Sequence, residues 1–332
     1  LSLSLAHTHT LALALSLSQT LSNSQTLKLS NSQNLSIKAR LAFRLMNADA
    51  SQESFCGPYL TQTVKDQLSE DILIFTMGFL CFPLPLPFTG LGKAIAARER
   101  IRQLLMPIAQ TAKDYVKNGG TPRCVMDYWA NELISNPRGF DVDNADMAST
   151  VLDFLFASQD ATTSAAVWAL DILEERPEVV KKIREELAEK GKGKGALEDY
   201  FHECPYLHSV AYEVLRYRPP VPMVPHMAKN TVTLEDGTII AKGQMVIPSI
   251  VDSAANEGGA HTFAPGGKYK DETFKTVLVF GQGQHMCPGR KYAWQLLATF
   301  IAIACDEFEF KRRKTSKSVL WLFDCVSLSL SL

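Results

Sequence analysis

From Lys93 onward, apolar side chains recur at three- and four-residue intervals, the spacing of helices that bury one face. Glycine and proline mark where these helices stop. Lys93–Lys117 reads as one amphipathic helix that runs past Pro107 and ends at Gly119 and Gly120. Asn144–Glu175 reads as a long apolar helix opened by an Asn/Asp cluster. Pro177 starts the next helix from its first turn and Gly191 follows its end, the usual asymmetry of helix termini. Leu207–Tyr217 is another, stopped by Pro219 and Pro220, and a last apolar helix covers about Gly289 to Glu307. Between these two, Thr231–Leu234, a turn at Glu235-Asp236-Gly237, Thr238–Ile240 and Met245–Ile247 carry strand signals. Ile72–Phe88 is the most apolar run, but Pro83, Pro85 and Pro87 break its second half. It predicts a buried helix that ends in an extended segment, and it is too short for the roughly 18 apolar residues of a membrane helix.

The two ends follow another pattern. Residues 1–36 alternate Leu with Ser or Ala and hold no acidic residue, and the chain closes on VSLSLSL from Val326. Such alternation has the period of a strand, yet it also matches a translated simple repeat. It lacks the basic start and unbroken apolar centre of a secretory signal, and no Arg precedes Arg40, unlike a typical transit peptide. We expect residues 1–40 to be a low-complexity extension without a defined fold, 41–316 to form the folded domain, and 317–332 to be a low-complexity tail.

The 332 residues carry 34 Lys plus Arg against 35 Asp plus Glu, a formal charge of −1. This balance argues against a nucleic-acid partner. The seven cysteines (56, 81, 124, 204, 287, 305 and 325) are odd in number and include no CxxC pair. A disulfide framework is therefore not expected, and a reducing compartment is.

One cysteine stands apart. Cys287 lies in FGQGQHMCPGRKYA, Phe280 to Ala293, just before the last apolar helix. Unpaired N–H groups and the dipole at a helix start stabilise a thiolate. Gly281, Gly283 and Gly289 allow tight turns and close approach to a flat ligand. Phe280 could pack beneath such a ligand and His285 could meet an acidic edge, which suits a cysteine-ligated haem. By itself, a cysteine among glycines is more often an inert core thiol. Zinc would need a second ligand pair beside His285 and Cys287.

FGQGQHMCPG resembles the haem loop of the cytochrome P-450 family, FxxGxxxCxG, with Cys287 as axial thiolate on the iron. Two further motifs lie upstream in the family's order. Glu213-Val-Leu-Arg216, followed by RPP, resembles the ExxR motif, whose pair implies a buried structural network behind the haem. Alone, Glu and Arg three apart are commonly a solvated surface pair. FLFASQDATTSAAVWAL, Phe154 to Leu170, resembles the oxygen-binding helix. Asp160 stands at the acidic position, Ala161 at the usual alcohol position, and Thr162 and Thr163 follow. The resemblance implies that Asp160 and one of these hydroxyls relay protons. On a regular helix Asp160 and Thr163 share a face, whereas a bulge would bring Thr162 round instead, and the family's positional pattern points to Thr162 as the hydroxyl.

The wording of these motifs, with CGPYL at Cys56–Leu60 and RPPVPMVPHMA, is similar to the sterol C-22 desaturases from Asn47 to Lys311. The resemblance implies a mainly α fold, a truncated cytochrome P-450 fold, with a long central helix, a Cys-ligand loop and small β elements. It implies haem b (iron protoporphyrin IX) as cofactor, with His226 near a propionate. It further implies dioxygen, electrons from an NADPH-dependent reductase, a sterol substrate, and an endoplasmic reticulum membrane location for an intact member. Two other outcomes stand beside desaturation: hydroxylation of another lipid, and a truncated fragment without catalysis. The departures are specific. The repeat stands where an anchor and several helices belong. FAPGGKY, Phe263–Tyr269, lacks the Arg of the family's PxRF element, and no closing strand hairpin is legible after Lys311.

Overall fold

A computed structural model describes residues 35–37, 39–135, 142–194, 197, 200–258, 262–266, 278–312 and 326–330. The chain divides into two units, one containing Arg40–Thr163 and the other Ser164–Leu332, each with an additional N-terminal stretch.

The first unit holds helices α1 (Ala39–Cys56), α2 (Gln62–Met77), α3 (Gly90–Lys117) and α4 (Val125–Ser135), and the first two-thirds of α5 (Asn144–Glu174). On α3, Ala94, Ala97, Ile101, Leu105, Ala109, Ala112 and Val116 form one buried stripe at three- and four-residue spacing, so the expected amphipathic face is the packed face. It meets Leu68 and Ile72 of α2, Met126 and Ala130 of α4, and Met147, Val151, Leu152 and Leu155 of α5 in one apolar core. The helix starts at Gly90, three residues before the sequence signal, because Thr89 caps it: its Oγ1 accepts from Gly92 N at 3.1 Å. Gly57 adopts φ 53°, and a side chain there would meet Cys124 Cβ at 2.9 Å, so CGPYL turns the chain where only glycine fits.

The Ile72–Phe88 expectation holds only in part. Ile72 is buried and the chain leaves the helix at Met77, but the proline-rich stretch lies at the surface. Phe82 is 79% and Phe88 74% exposed, with Leu84 and Leu86 also open. Alternate prolines hold the backbone extended and deny it the helical turns that could fold these side chains inward. Among the described residues no helix is long and apolar enough to cross a membrane.

The second unit holds the last third of α5, then α6 (Pro177–Lys190), α7 (Pro205–Tyr217), α8 (Ile250–Gly258) and α9 (Arg290–Glu307). Leu296–Cys305 of α9 is buried on every side, as a central helix must be. It packs on α6 and α7. Glu186 accepts from Tyr206 N (2.9 Å) and Leu207 N (2.8 Å), placing a carboxylate at the N-terminus of α7. Arg184 donates to the carbonyls of Cys305 (2.6 Å) and Phe308 (3.0 Å), closing the C-terminus of α9.

The strand signals become two small antiparallel pairs. β3 (Val232–Thr233) pairs with β4 (Ile239–Ile240) around the expected turn, and β2 (His226–Met227) pairs with β5 (Met245–Val246). A third sheet was not legible in the sequence. β1 (Leu35–Ile37), β7 (Val326–Leu330) and β6 (Phe308–Arg312) form an antiparallel sheet in the order β1-β7-β6, with Phe310 opposite Leu328 and Leu35 also opposite Leu328. The two-residue period of VSLSL thus serves a strand pairing with Phe308–Arg312, and the residues joining the two strands lie outside the described ones.

His208 on α7 sits among Phe201, Tyr212 and Trp294, with the His208–Trp294 centroids 4.9 Å apart and the Tyr212–Trp294 rings stacked at 5.0 Å. Burial lowers the His208 pKa; a backbone hydrogen bond with Phe201 opposes this and the neighbouring His202 adds to it. The folded state thus keeps the ring neutral where an unfolded chain protonates it, near pH ~6.5. Its contribution to stability is complete above that value and is lost as pH falls toward the lowered folded pKa. The melting temperature should therefore drop as the pH falls below the ordinary histidine value of about 6.5, and His208→Phe should flatten part of that drop. Identical slopes for the two proteins would remove His208 as the cause.

Candidate functional site

The segment Leu278–Gly289 is two short 3₁₀ turns, Leu278–Phe280 and Gly283–His285, folded back by a hydrogen bond from Cys287 N to Phe280 O at 2.8 Å. Gly281 and Gly283 sit at φ 69° and 67°, the left-handed region that glycine enters without strain. A side chain at Gly283 would meet nothing within 4 Å, so this edge of the loop is open. Gly289 has an ordinary φ of −86° and caps α9, which begins one residue later. An added Cβ would lie 3.9 Å from Cys287 Sγ, an ordinary van der Waals contact, so neither space nor backbone angle demands glycine here. Cys287 is a free thiol, half-buried, three residues before the helix. Phe280 is half-buried and His285 is exposed. His226 is exposed on β2, with Nδ1 3.0 Å from Val224 O.

Glu213 and Arg216 are 0% and 3% exposed, which excludes a solvated surface pair. Arg216 Nε and Nη2 donate to the two Glu213 oxygens at 2.8 and 2.7 Å, a fork-to-fork contact. The remaining valences are also used. Nη1 donates to Ala254 O (3.3 Å), Nη2 to Thr262 O (2.7 Å), and Ala264 N donates to Glu213 Oε1 (2.8 Å). The FAPGGKY segment therefore joins the pair through its backbone; its Gly267–Tyr269 lie outside the described residues. An arginine still stands beside it: Arg176 lies over the rings of Phe263 (5.1 Å) and Tyr217 (5.6 Å), a cation–π contact the sequence does not announce.

The acid-bearing turn of α5 belongs to the first unit. The helix runs without a bulge through residues 159–164, so Thr163 stands on the face of Asp160. Thr162 and Thr163 are both buried, and Thr163 Oγ1 has no hydrogen-bond partner among the described residues. Asp160 has a partner that sequence reading missed. Arg44 Nη1 on α1 donates to its Oδ1 at 2.5 Å, across 116 residues of chain. Equally hidden was the network of Tyr59, Arg123 and Asp127, in which Tyr59 OH donates to the fully buried Asp127 at 2.5 Å and Arg123 N donates to it at 3.0 Å.

The cytochrome P-450 family profile matches residues 59–322, which takes in the oxygen-binding helix, the Glu213–Arg216 pair and the cysteine loop, while Arg44 and the start of CGPYL precede it. This chain belongs to the cytochrome P-450 family. It is 36% identical to cytochrome P-450 710A3 of Arabidopsis thaliana over 287 residues, covering 83% of this chain and 58% of that protein. It is 31% identical to the C-22 sterol desaturase erg5 of Aspergillus fumigatus over 310 residues, covering 83% and 59%, and 32% identical to C-22 sterol desaturase ERG5 of Saccharomyces cerevisiae over 274 residues, covering 76% and 50%. The chain thus spans between half and three-fifths of these relatives. Its fold is that of the retinoic acid-bound cyanobacterial CYP120A1, with a TM-score of 0.77 at 18% identity, covering 99% of this chain and 76% of that one. The mainly α architecture expected from the sequence is therefore the one found.

The cofactor of the family is haem b. The loop fits that group on three observations. Its thiol is free and partly open, the glycines beside it are left-handed, and the space at Gly283 is unobstructed. A thiolate ligand at a helix start with close backbone approach needs these features.

Proposed function

We propose that this chain carries the haem-thiolate site of a sterol side-chain desaturase acting at C-22. The observation that carries the haem-thiolate part is the partly open Cys287 thiol before α9, framed by Gly281 and Gly283. The C-22 specificity is supported by the relatives named as C-22 sterol desaturases. Bound haem supplies the dioxygen-dependent oxidising chemistry. Overall, one dioxygen, two electrons from an NADPH-dependent reductase and two protons remove two hydrogens from the side chain and yield two waters. The endoplasmic reticulum membrane suits such a substrate.

The protein's part is holding and proton supply. Cys287 would hold the iron, as the family's thiolate ligand does. Gly281, Gly283 and Gly289 admit the flat ring, Phe280 packs against it, and His285 and His226 serve its acidic edge. Glu213 and Arg216 tie α7 to the Thr262–Ala264 segment. Asp160 carries a proton, and Thr162 or Thr163 passes it on.

The test is a carbon monoxide difference spectrum of the reduced chain, followed by turnover of a C-22-saturated sterol with a reductase. A red-shifted thiolate-type band and a product lighter by two hydrogens support the reading. A product carrying an added oxygen would favour lipid hydroxylation, and the absence of any haem band would favour a fragment without catalysis. Within an active protein, Asp160→Asn should slow turnover by roughly 10²–10⁴-fold, the scale of a general-acid role, while haem occupancy is retained. Unchanged turnover would remove Asp160 from the path.

A further inference from the structure

Arg44, Asn47 and Ser51 stand at i, i+3 and i+7 on α1, and so share one face. All three meet a single turn of α5. Arg44 Nη1 donates to Asp160 Oδ1 at 2.5 Å. Asn47 Nδ2 donates to the carbonyls of both Ser158 (2.9 Å) and Gln159 (3.0 Å). Ser158 Oγ donates to Ser51 Oγ at 2.9 Å, and Ser51 Oγ donates to Asn47 O at 2.6 Å.

In a regular helix the carbonyls of Ser158 and Gln159 accept from the N–H groups of Thr162 and Thr163. Asn47 brings a second donor to both acceptors. The turn bearing the two hydroxyl candidates is therefore gripped from α1 at its acceptor end.

A second observation lies in the same seam. Arg44 Nη2, Asn47 Oδ1, Gln159 Nε2 and Thr163 Oγ1 are buried polar atoms with no partner among the described residues. Asn47, Gln159 and Thr163 are 2%, 1% and 1% exposed. Buried polar groups are almost always paired, and a seam needed only for packing is built from apolar residues. Gln159 and Thr163 are four apart and share one face; Gln159 adjoins Asp160 in sequence and Thr163 lies about one turn beyond it.

We propose that Arg44 and Asn47 are positioning residues for proton delivery: Arg44 fixes the Asp160 carboxylate, and Asn47 fixes the helical turn that keeps Thr163, not Thr162, on the same face. This rests on the reading of Asp160 as the proton carrier.

The test uses the haem-loaded chain and four variants: Arg44→Ala, Arg44→Lys, Asn47→Ala and Asp160→Asn. Amide hydrogen exchange without turnover comes first. Asn47→Ala should speed exchange at Thr162 and Thr163 by at least about tenfold through local opening, with the α6 amides unchanged. Unchanged exchange at these two residues overturns the role of Asn47. Product formed per electron consumed comes second. It should fall at least about tenfold in Arg44→Ala, since a small misplacement of a reacting group is that costly, with the carbon monoxide band unmoved and most of the yield regained in Arg44→Lys. If Arg44→Ala does not fold, Arg44→Gln takes its place. Coupled turnover in Asp160→Asn overturns the underlying proton-carrier reading. Uncoupling in Asp160→Asn with full coupling in Arg44→Ala overturns the positioning role alone.

Discussion

Arg216→Ala is expected to leave almost no folded, haem-competent protein. The guanidinium donates to two backbone carbonyls, Ala254 O and Thr262 O, and neutralises a carboxylate that is 0% exposed. Its removal leaves Glu213 buried and charged, with Ala264 N as remaining donor. Breaking a buried pair from one side costs roughly 3–5 kcal/mol, against a total stability of about 5–15 kcal/mol for a typical domain. A solvated pair at the same spacing is worth only about 0.2–0.5 kcal/mol, so the two readings differ by an order of magnitude. Denaturant midpoints and soluble yield of the apo chain decide between them. A midpoint equal to that of the parent would mean that the pair does not hold α7 to its neighbours. The companion variant Glu213→Gln should be milder, because an uncharged amide still accepts from Arg216 while no longer compensating its charge.

Much of this was legible along the chain, for identifiable reasons. Helix limits came out within a few residues where a breaker stands at the boundary, as with Pro177 and Gly191 around α6 or Asn144 before α5. The cysteine loop was legible because its chemistry is local: thiol, glycines and helix start fall within ten residues, and the left-handed angles of Gly281 and Gly283 follow from the need to fold Cys287 N back onto Phe280 O. Contacts between distant segments left no such trace. Nothing in the spacing joins Arg44 to Asp160, Arg100 to Asp71 or Tyr59 to Asp127, since a single charged residue on a helix face looks the same whether solvated or paired. The Ile72–Phe88 run held only in part, because its extended segment lies at the surface. Hydropathy reports what a segment would gain by burial, while alternate prolines decide whether its backbone can fold inward. The Leu/Ser alternation was ambiguous in principle, because a repeat of period two is the pattern of a strand whatever its origin.

Cys287→Ala is expected to abolish thiolate ligation altogether, with no other described cysteine able to replace it. The ligand is the thiolate rather than the thiol, and burial works against that form at four positions. It pushes the Cys305 thiol up to about 12 and those of Cys124 and Cys204 up to about 11, and Cys56 is raised as well. Cys305 is only eighteen residues from Cys287 and on the same helix approach, yet it lies in the fully buried stretch of α9 where no ring could reach it without unfolding the helix. Cys81 is partly open, but it donates to Met77 O at 3.1 Å and belongs to the α2–α3 connection of the first unit. Carbon monoxide difference spectra of Cys287→Ala, Cys305→Ala and Cys81→Ala compare the three directly. The red-shifted band should vanish in the first and persist in the other two. Haem that still binds Cys287→Ala should do so through a nitrogen donor and absorb at shorter wavelength. A persistent thiolate band in Cys287→Ala would move the ligand elsewhere and take with it the roles given to Phe280, Gly281, Gly283 and Gly289, all of which depend on where that sulfur stands.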